Sequence, residues 1–217
     1  MTDIDREIDE ELRQDRAAEL WKRYSGLVYG LAALIVLGVG GYRLYDYQRQ
    51  KAAEAAGGRY QVAMSLSREG KEAEAEAALQ ALAKDAPRGY AELARLRAAA
   101  ELAVKDRDAA VKAYEAVAAD AGADGLFRDI ARLRAALLRV DVADRKEIEA
   151  RLSPLAAAGQ PFRASARELL GLAALKADDF EAAGRWFDQI VTDAEASPAV
   201  KQRAEAYLAI VRSGRKS

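Results

Sequence analysis

The sequence predicts an all-α fold in which a single N-terminal transmembrane helix precedes a solenoid of about four helical hairpins and a capping helix. Alanine dominates, followed by Leu, Glu, Arg and Lys, and no run of β-branched or aromatic residues is typical of a strand. One long stretch near the N-terminus carries no charge. After it, a pattern of small and bulky apolar residues recurs every 35–38 residues or so, as in repeat proteins.

The uncharged stretch covers residues 24–42 (YSGLVYGLAALIVLGVGGY). As a helix it reaches about 28 Å, close to the roughly 30 Å of a bilayer core. Arg23 and Arg43 bracket it. Aromatic residues of the kind found at membrane interfaces flank it: Trp21, Tyr24, Tyr42, Tyr45 and Tyr47. We predict a membrane-spanning helix and not a buried core helix, because a core helix of this length would carry a polar stripe.

The residues around the span favour an anchor that stays in the mature protein. A secretory signal begins with a short basic segment and ends at a small-residue cleavage site. Here a mostly acidic segment comes first, and no A-x-A pattern directly follows the apolar run. Because the chain has no Cys, it cannot be anchored as a lipoprotein.

The N-terminal segment, residues 1–23, carries eight acidic and five basic side chains. Ile4, Ile8 and Leu12 recur every four residues and would share one helix face. Two interpretations remain open, a solvated helix leading into the membrane or a docking helix for a cytoplasmic partner.

The charges next to the span barely set its orientation. Lys and Arg near the membrane number five on the N-terminal side and four on the other. These are Arg6, Arg13, Arg16, Lys22 and Arg23 against Arg43, Arg49, Lys51 and Arg59. By the positive-inside rule this balance favours a cytoplasmic N-terminus by one charge.

The segment after the span contains no helix breaker before two adjacent glycines. We predict a helical stalk over residues 43–57, with a hinge or boundary at Gly57-Gly58. The predicted division is therefore a cytoplasmic segment (1–23), the span (24–42), the stalk and a repeat domain (58–217). Within the span, Gly26 and Gly30 have the small-xxx-small spacing that permits a homodimer.

Composition excludes several classes of function. The net charge of −1 predicts no basic face for nucleic acid. Without Cys there are no disulfides, thiolate metal sites or cysteine catalysis, and without His there is no Ser-His-Asp triad and no usual zinc site. Asp and Glu are scattered at helix-surface spacing. We therefore predict a protein that is not an enzyme and has no catalytic, cofactor-binding or metal site.

Self-similarity organises the rest of the chain. The hexapeptide ARLRAA occurs at residues 94–99 and again at 131–136. A second register follows the other helix of each unit: Ala75, Leu79 and Leu82; Ala110, Tyr114 and Val117; Ile148, Leu152 and Leu155; Ala183, Phe187 and Ile190. Small residues precede these on the first helix of each unit: Ala63, Ala98, Ala135 and Gly171. This spacing predicts stacked helical hairpins, each of which needs the next to cover its apolar face.

Two local expectations follow from the repeat register. Because Pro154 lacks an N–H and clashes with the preceding turn, we expect the second helix of the third unit to end near Leu152. Residues 198–213 predict a last amphipathic helix that caps the stack, with Ala204, Tyr207, Leu208 and Val211 on its apolar side.

The pattern resembles the tetratricopeptide repeat. The best unit is LLGLAALKADDFEAAGRWFDQIV, where motif positions fall on Leu170-Gly171, Ala174, Ala183, Phe187 and Ile190. Divergent repeats behind an acidic head and one span are similar to bacterial inner-membrane tetratricopeptide-repeat-like proteins, which include the ancillary subunit of the SecYEG translocon. The resemblance implies a cytoplasmic N-terminus, a periplasmic repeat domain and a chaperone-like role beside translocation.

Repeat solenoids bind protein segments along the first helices of their hairpins. In the register above, the candidate groove residues are Tyr60, Arg95, Leu102, Arg132 and Glu168. Arg95 and Arg132 either clamp a carboxylate by paired hydrogen bonds or are ordinary solvated arginines. Trp186 and Phe187 are expected to pack and not to contact a ligand.

Two functions fit this sequence best. The first is a periplasmic chaperone or translocon accessory subunit that binds translocon components, periplasmic chaperones or unfolded clients, with membrane lipid around residues 24–42. The second is a static envelope scaffold with one defined partner. An enzyme with a carboxylate site is the third and least supported.

Overall fold

The structure is a computed structural model that describes the backbone of residues 2–214 and the side chains of residues 21–27 and 29–214. This described backbone is helical and contains no strand, so the predicted all-α class is confirmed. The helices are α1 (Thr2–Arg68), α2 (Glu72–Asp85), α3 (Arg88–Lys105), α4 (Arg107–Ala119), α5 (Gly125–Arg139), α6 (Arg145–Ala156), α7 (Arg163–Lys176), α8 (Phe180–Val191) and α9 (Pro198–Gly214).

The chain divides into two compact units, Met1–Ala52 and Ala53–Ser217. In the first unit α1 holds a stretch long and apolar enough to cross a membrane, and none of that stretch is buried. Arg23 lies 5.8 Å from the ring centroid of Tyr24, and Lys51 lies 5.4 Å from that of Tyr47. Cations on tyrosine rings thus flank the apolar stretch, as at membrane interfaces.

The first twenty residues carry two of the sequence predictions. Their side chains lie outside the described residues. They include Ile4, Ile8 and Leu12, together with Arg6, Arg13 and Arg16 of the N-terminal charge count. Both the docking-helix interpretation and the charge balance therefore stay predictions.

The second unit is a stack of antiparallel hairpins. Residues 53–68 of α1 pair with α2, α3 pairs with α4, α5 with α6 and α7 with α8, while α9 packs on α7 and α8. The first helices of successive hairpins also contact one another, α3 with α5, α5 with α7 and α7 with α9. The second helices, α4, α6 and α8, lie farther apart from each other. The first helices therefore form the inner side of the stack.

The repeat register identifies the core correctly. All twelve second-helix positions named above are buried, and the most accessible of them, Tyr114, is 4% exposed. The two bulkier residues of each group pack within an apolar cluster that joins one hairpin to its neighbour. On α9, Ala204, Leu208 and Val211 are buried and Tyr207 is partly buried, which is the arrangement expected of a capping helix.

A close helix crossing lies in the fourth hairpin. A Cβ atom placed on Gly171 would lie 2.6 Å from Cε1 and Cζ of Phe187, nearer than packed atoms allow. The Phe187 ring is fully buried and stacks on Tyr207 with ring centroids 5.0 Å apart. A residue without a side chain is thus required where α7 crosses the largest core residue of α8.

The expectation about Pro154 is wrong, because α6 continues past it to Ala156. The Ser153 hydroxyl donates to the Glu149 carbonyl at 2.6 Å, whereas the carbonyl that Pro154 leaves without its usual N–H donor is that of Ala150. Leu155 and Ala156 are both buried. Their packing holds the last turn in helical form although the proline removes one backbone hydrogen bond.

The two glycines predicted as a hinge or boundary lie inside α1 and do not end the helix. A Cβ atom on Gly57 would lie 2.8 Å from the Tyr90 hydroxyl oxygen, whereas nothing lies within 4 Å of the same point on Gly58. Gly57 therefore permits the close approach of α3. The division of the chain into four segments stays a prediction.

Candidate functional site

Two cavities open on the inner side of the stack, and together we call them the A-face groove. The first has a volume of about 280 Å³ and lies between α3 and α5. Its lining residues are Tyr60, Leu93, Leu96, Arg97, Ala100, Tyr114, Phe127, Ile130 and Arg134. The second, of about 390 Å³, lies between α5, α7 and α9. Its lining residues are Leu133, Arg134, Leu137, Ser165, Glu168, Leu169, Leu172, Arg203 and Tyr207.

Helix α5 forms the ridge between the two cavities. Phe127, Ile130 and Arg134 follow one another at spacings of three and four residues and face the first cavity, while Leu133 and Leu137 face the second. The helix is placed by Asp124, whose carboxylate caps its start by accepting from the Leu126 N–H at 2.8 Å. Arg134 is the residue that lines both cavities.

The other charges in the groove are neutralised by partners. In the first cavity, Nη2 of Arg97 lies 2.6 Å from Oε1 of Glu101 and donates to the Ser67 hydroxyl at 3.3 Å. In the second, Arg203 donates to both carboxylate oxygens of Glu168, at 2.6 and 2.8 Å. This paired geometry raises the pKa of Arg203 through its hydrogen bond to Glu168.

Arg134 differs from these two arginines. It is exposed, and its side chain forms no hydrogen bond or ion pair with any residue that the structure describes. Burial raises the pKa of the neighbouring Tyr114 phenol, while the charges of Arg134 and then Arg97 act in the opposite direction. Among the described groove residues, Arg134 therefore supplies an uncompensated positive charge between two apolar cavities.

The structure brings two of the five predicted groove residues into the A-face groove. Tyr60 lines the first cavity and Glu168 the second. Leu102 is partly buried on α3 and lines neither.

The two predicted arginines lie elsewhere. Arg95 donates to Oδ2 of Asp120 at 2.6 Å, and Arg132 donates to Oδ1 of Asp129 at 2.9 Å. Arg132 also lines another cavity, of about 520 Å³, whose wall includes residues of α4 and α6. Each guanidinium thus has a carboxylate partner in its own chain, and both arginines lie outside the A-face groove.

The sequence reasoning missed the other arginine of each ARLRAA copy. Arg97 and Arg134 occupy equivalent positions in the two copies, and both line the groove. A signal for their difference was present, because Glu101 follows Arg97 by four residues whereas Leu138 follows Arg134 at the same spacing. The second arginine of the α5 copy thus lacks the helical partner that the first copy provides.

A cluster of charges near the end of the stack serves a different purpose. Arg163 donates to both carboxylate oxygens of Asp193, at 2.6 and 2.8 Å, and also to Glu195 at 2.7 Å. The buried Arg167 donates to the Ala156 carbonyl at 3.0 Å and to Asp193 at 3.2 Å. The Arg163 hydrogen bond lowers the pKa of Asp193 to about 2. Because these charges satisfy one another, the cluster joins the ends of α6 and α8 and leaves no free charge for a ligand.

Comparison with known proteins gives one result for the whole chain. A family model described as a tetratricopeptide repeat-like domain matches residues 19–208, from the residues before the apolar stretch of α1 to α9. Curated proteins and solved structures give no significant match. The predicted resemblance to the tetratricopeptide repeat is confirmed by the family match.

Proposed function

The chain belongs to the tetratricopeptide repeat-like domain family, and from this premise we propose that it is a membrane-anchored module that binds other proteins through the A-face groove. The observation that carries the proposal is the pair of open, mainly apolar cavities on the inner helices. Their volumes lie near the lower end of the range for small-molecule pockets, which suits the side chains of a protein segment.

We propose that residues 24–42 span the bacterial inner membrane, with residues 1–23 in the cytoplasm, residues 43–57 as a stalk and residues 58–217 in the periplasm. The exposed apolar stretch of α1 supports the span, and the excess of one Lys or Arg on the N-terminal side of the span favours this orientation. Confinement near the membrane raises the effective concentration of a weak binder, so that a groove with few strong anchors suffices. Self-association through Gly26 and Gly30 stays a prediction.

At the finer level, we propose a chaperone or translocon accessory role in which the groove holds segments of emerging or partner proteins. The groove supports this role because its walls are mainly apolar and most of its charges are satisfied internally. Such a surface binds many sequences weakly, whereas a dedicated scaffold needs a centre of strong specific contacts.

Photocrosslinking in intact membranes tests this function. A benzophenone amino acid replaces Leu137, which lines the second cavity and is 46% exposed. The matched control replaces Val104, an exposed apolar residue that lines neither cavity. We expect position 137 to capture several proteins, translocon components among them, and position 104 to capture few.

Two results would contradict parts of the proposal. Equal crosslinking at positions 137 and 104 would show that the groove is not the binding surface. Capture of a single stoichiometric partner at position 137 would instead support a static scaffold. A phosphatase reporter fused to the C-terminus tests the orientation, since we expect activity only where the repeat domain lies outside the cytoplasm.

A further inference from the structure

The unmatched charge of the A-face groove indicates which segments the groove prefers. Arg97 is paired with Glu101, and Arg203 is paired with Glu168. Arg134 alone, among the groove arginines that the structure describes, has no such partner. A binding segment that passes over α5 therefore meets one available guanidinium group, which favours a carboxylate and disfavours a cation.

Apolar side chains lie on both sides of this guanidinium group. Phe127 and Ile130 line the cavity on one side, and Leu137 and Leu172 line the cavity on the other. Burying a large apolar side chain in either cavity is favourable by the hydrophobic effect. The arrangement is thus apolar, positive and apolar along one direction of the groove.

The distance between the cavities sets the spacing of the matching residues. Neighbouring helices pack about 8–10 Å apart, and each cavity occupies the space between α5 and one neighbour. A segment in the extended polyproline II conformation advances about 3.1 Å per residue and returns its side chains to the same face at every third residue. Two side chains that enter the two cavities are therefore about three residues apart, with room for one acidic residue between them.

We propose that the A-face groove selects extended protein segments in which one acidic residue lies between two bulky apolar residues about three positions apart, with the acidic side chain bound by Arg134. This inference rests on the proposed function and specifies the partner chemistry of the same groove.

A peptide-binding experiment on the full-length protein in detergent tests this preference. The probes are three fluorescein-labelled peptides, GSLEGLSG, GSLQGLSG and GSLKGLSG, followed by fluorescence anisotropy. We expect the protein to bind the Glu peptide about tenfold more tightly than the Gln peptide, and the Lys peptide most weakly. We expect the preference to shrink as salt is raised, because the ion pair is partly exposed.

Substitutions in residues 131–136 of the protein identify the arginine that causes the preference for the Glu peptide. Arg134→Gln should abolish the preference for the Glu peptide, and Arg134→Glu should reverse it in favour of the Lys peptide. Arg132→Gln is the matched control, since Arg132 lies on the same helix, is paired with Asp129 and lines neither cavity of the groove. It should leave the preference unchanged.

Three outcomes of the peptide measurements would overturn the inference. They are equal affinity for the three peptides, no binding of any peptide, or a preference that survives in Arg134→Gln. A dimer that Arg134→Glu converts to monomer would also overturn it, because a second copy would then occupy the groove. Crosslinking at position 137 does not depend on peptide charge, so the proposed function can stand when this preference fails.

Discussion

Two copies of one hexapeptide, in α3 and α5, show which part of the sequence encodes the fold and which part depends on surroundings. The first and last alanines of ARLRAA are fully buried in both copies, as Ala94 and Ala99 in α3 and as Ala131 and Ala136 in α5. They are small because adjacent helices approach closely at these points. The same packing distance therefore imposes the same residues.

The arginines of the two copies have different roles. The first arginine holds the loop after α4 in one copy, through Asp120, and pairs within its own helix in the other, through Asp129. The second arginine is paired with Glu101 in α3, whereas Arg134 in α5 has no ion-pair partner among the described residues. The alanines of the two copies thus have the same role in the core, whereas the arginines have different roles on the surface. The role of a surface charge depends on what lies opposite it.

The largest expected effect tests whether the buried alanines of the two ARLRAA copies are equivalent, by making the same substitution in both copies. Ala94→Leu and Ala131→Leu each force three extra carbon atoms into a site with no accessible surface. We expect each variant to lose about 3 kcal/mol of unfolding free energy. Urea denaturation of the full-length protein in mild detergent, followed by circular dichroism, measures both. If one variant lost less than half as much as the other, the two copies would not be equivalent.

A smaller effect is expected where the repeat uses glycine. Gly171 takes the place of Ala98 and Ala135 in the register and touches the ring of Phe187. Gly171→Ala should cost about 1 kcal/mol in unfolding free energy, because overpacking outweighs the better helix propensity of alanine. Gly58→Ala, at a helical glycine with open space, is the control and should not destabilise the protein.

The origin of the Gly171 effect can be checked with Phe187→Leu. The smaller side chain frees the space above residue 171, so the loss caused by Gly171→Ala should shrink or vanish in the double variant. Strict additivity of the two losses would show that the crossing distance does not determine the choice of glycine.

The second arginines of the two copies should contribute unequally to stability, so that the same substitution lowers the unfolding free energy by different amounts. Arg97→Gln leaves Glu101, whose side chain is 12% exposed, without its charge partner, and should cost about 1 kcal/mol in unfolding free energy. Arg134→Gln breaks no described pair and should change it by less than about 0.5 kcal/mol. Thermal unfolding of the two variants side by side measures the difference. Equal losses would indicate that Arg134 has a structural role.

The fold could be predicted to the level of individual core residues, because burial repeats with the helical period and the hairpin length. The end of α6 could not, since it depends on the packing of Leu155 and Ala156 in the folded core. The groove was predicted in part. Two residues along a helix turn a side chain by about 200°, so choosing Arg132 and not Arg134 moved the predicted charge out of the groove.

The smallest expected effect is the effect of pH on the ion pairs that hold the loops after α8 and α4, measured by the melting temperature. The loop after α8 is held by Arg163 through Asp193, whose pKa is lowered from 3.8 to about 2. Because its pKa is lower in the folded state, Asp193 contributes stability above about pH 4, and this contribution is lost as the pH falls towards 2. The melting temperature of the wild type should therefore fall through this range more steeply than that of Asp193→Asn.

The matched loop contact after α4 gives the control for this slope. A hydrogen bond from Arg95 lowers the pKa of Asp120 in the same direction. Asp120→Asn should therefore also reduce the fall of the melting temperature at acid pH. The reduction should be smaller than for Asp193→Asn, because the Asp193 carboxylate faces two arginines and Asp120 faces one. An equal fall of the melting temperature with pH in the wild type and both variants would mean that neither loop contact persists in solution. The groove arginines, Arg97 and Arg134, would then be the remaining difference between the repeats.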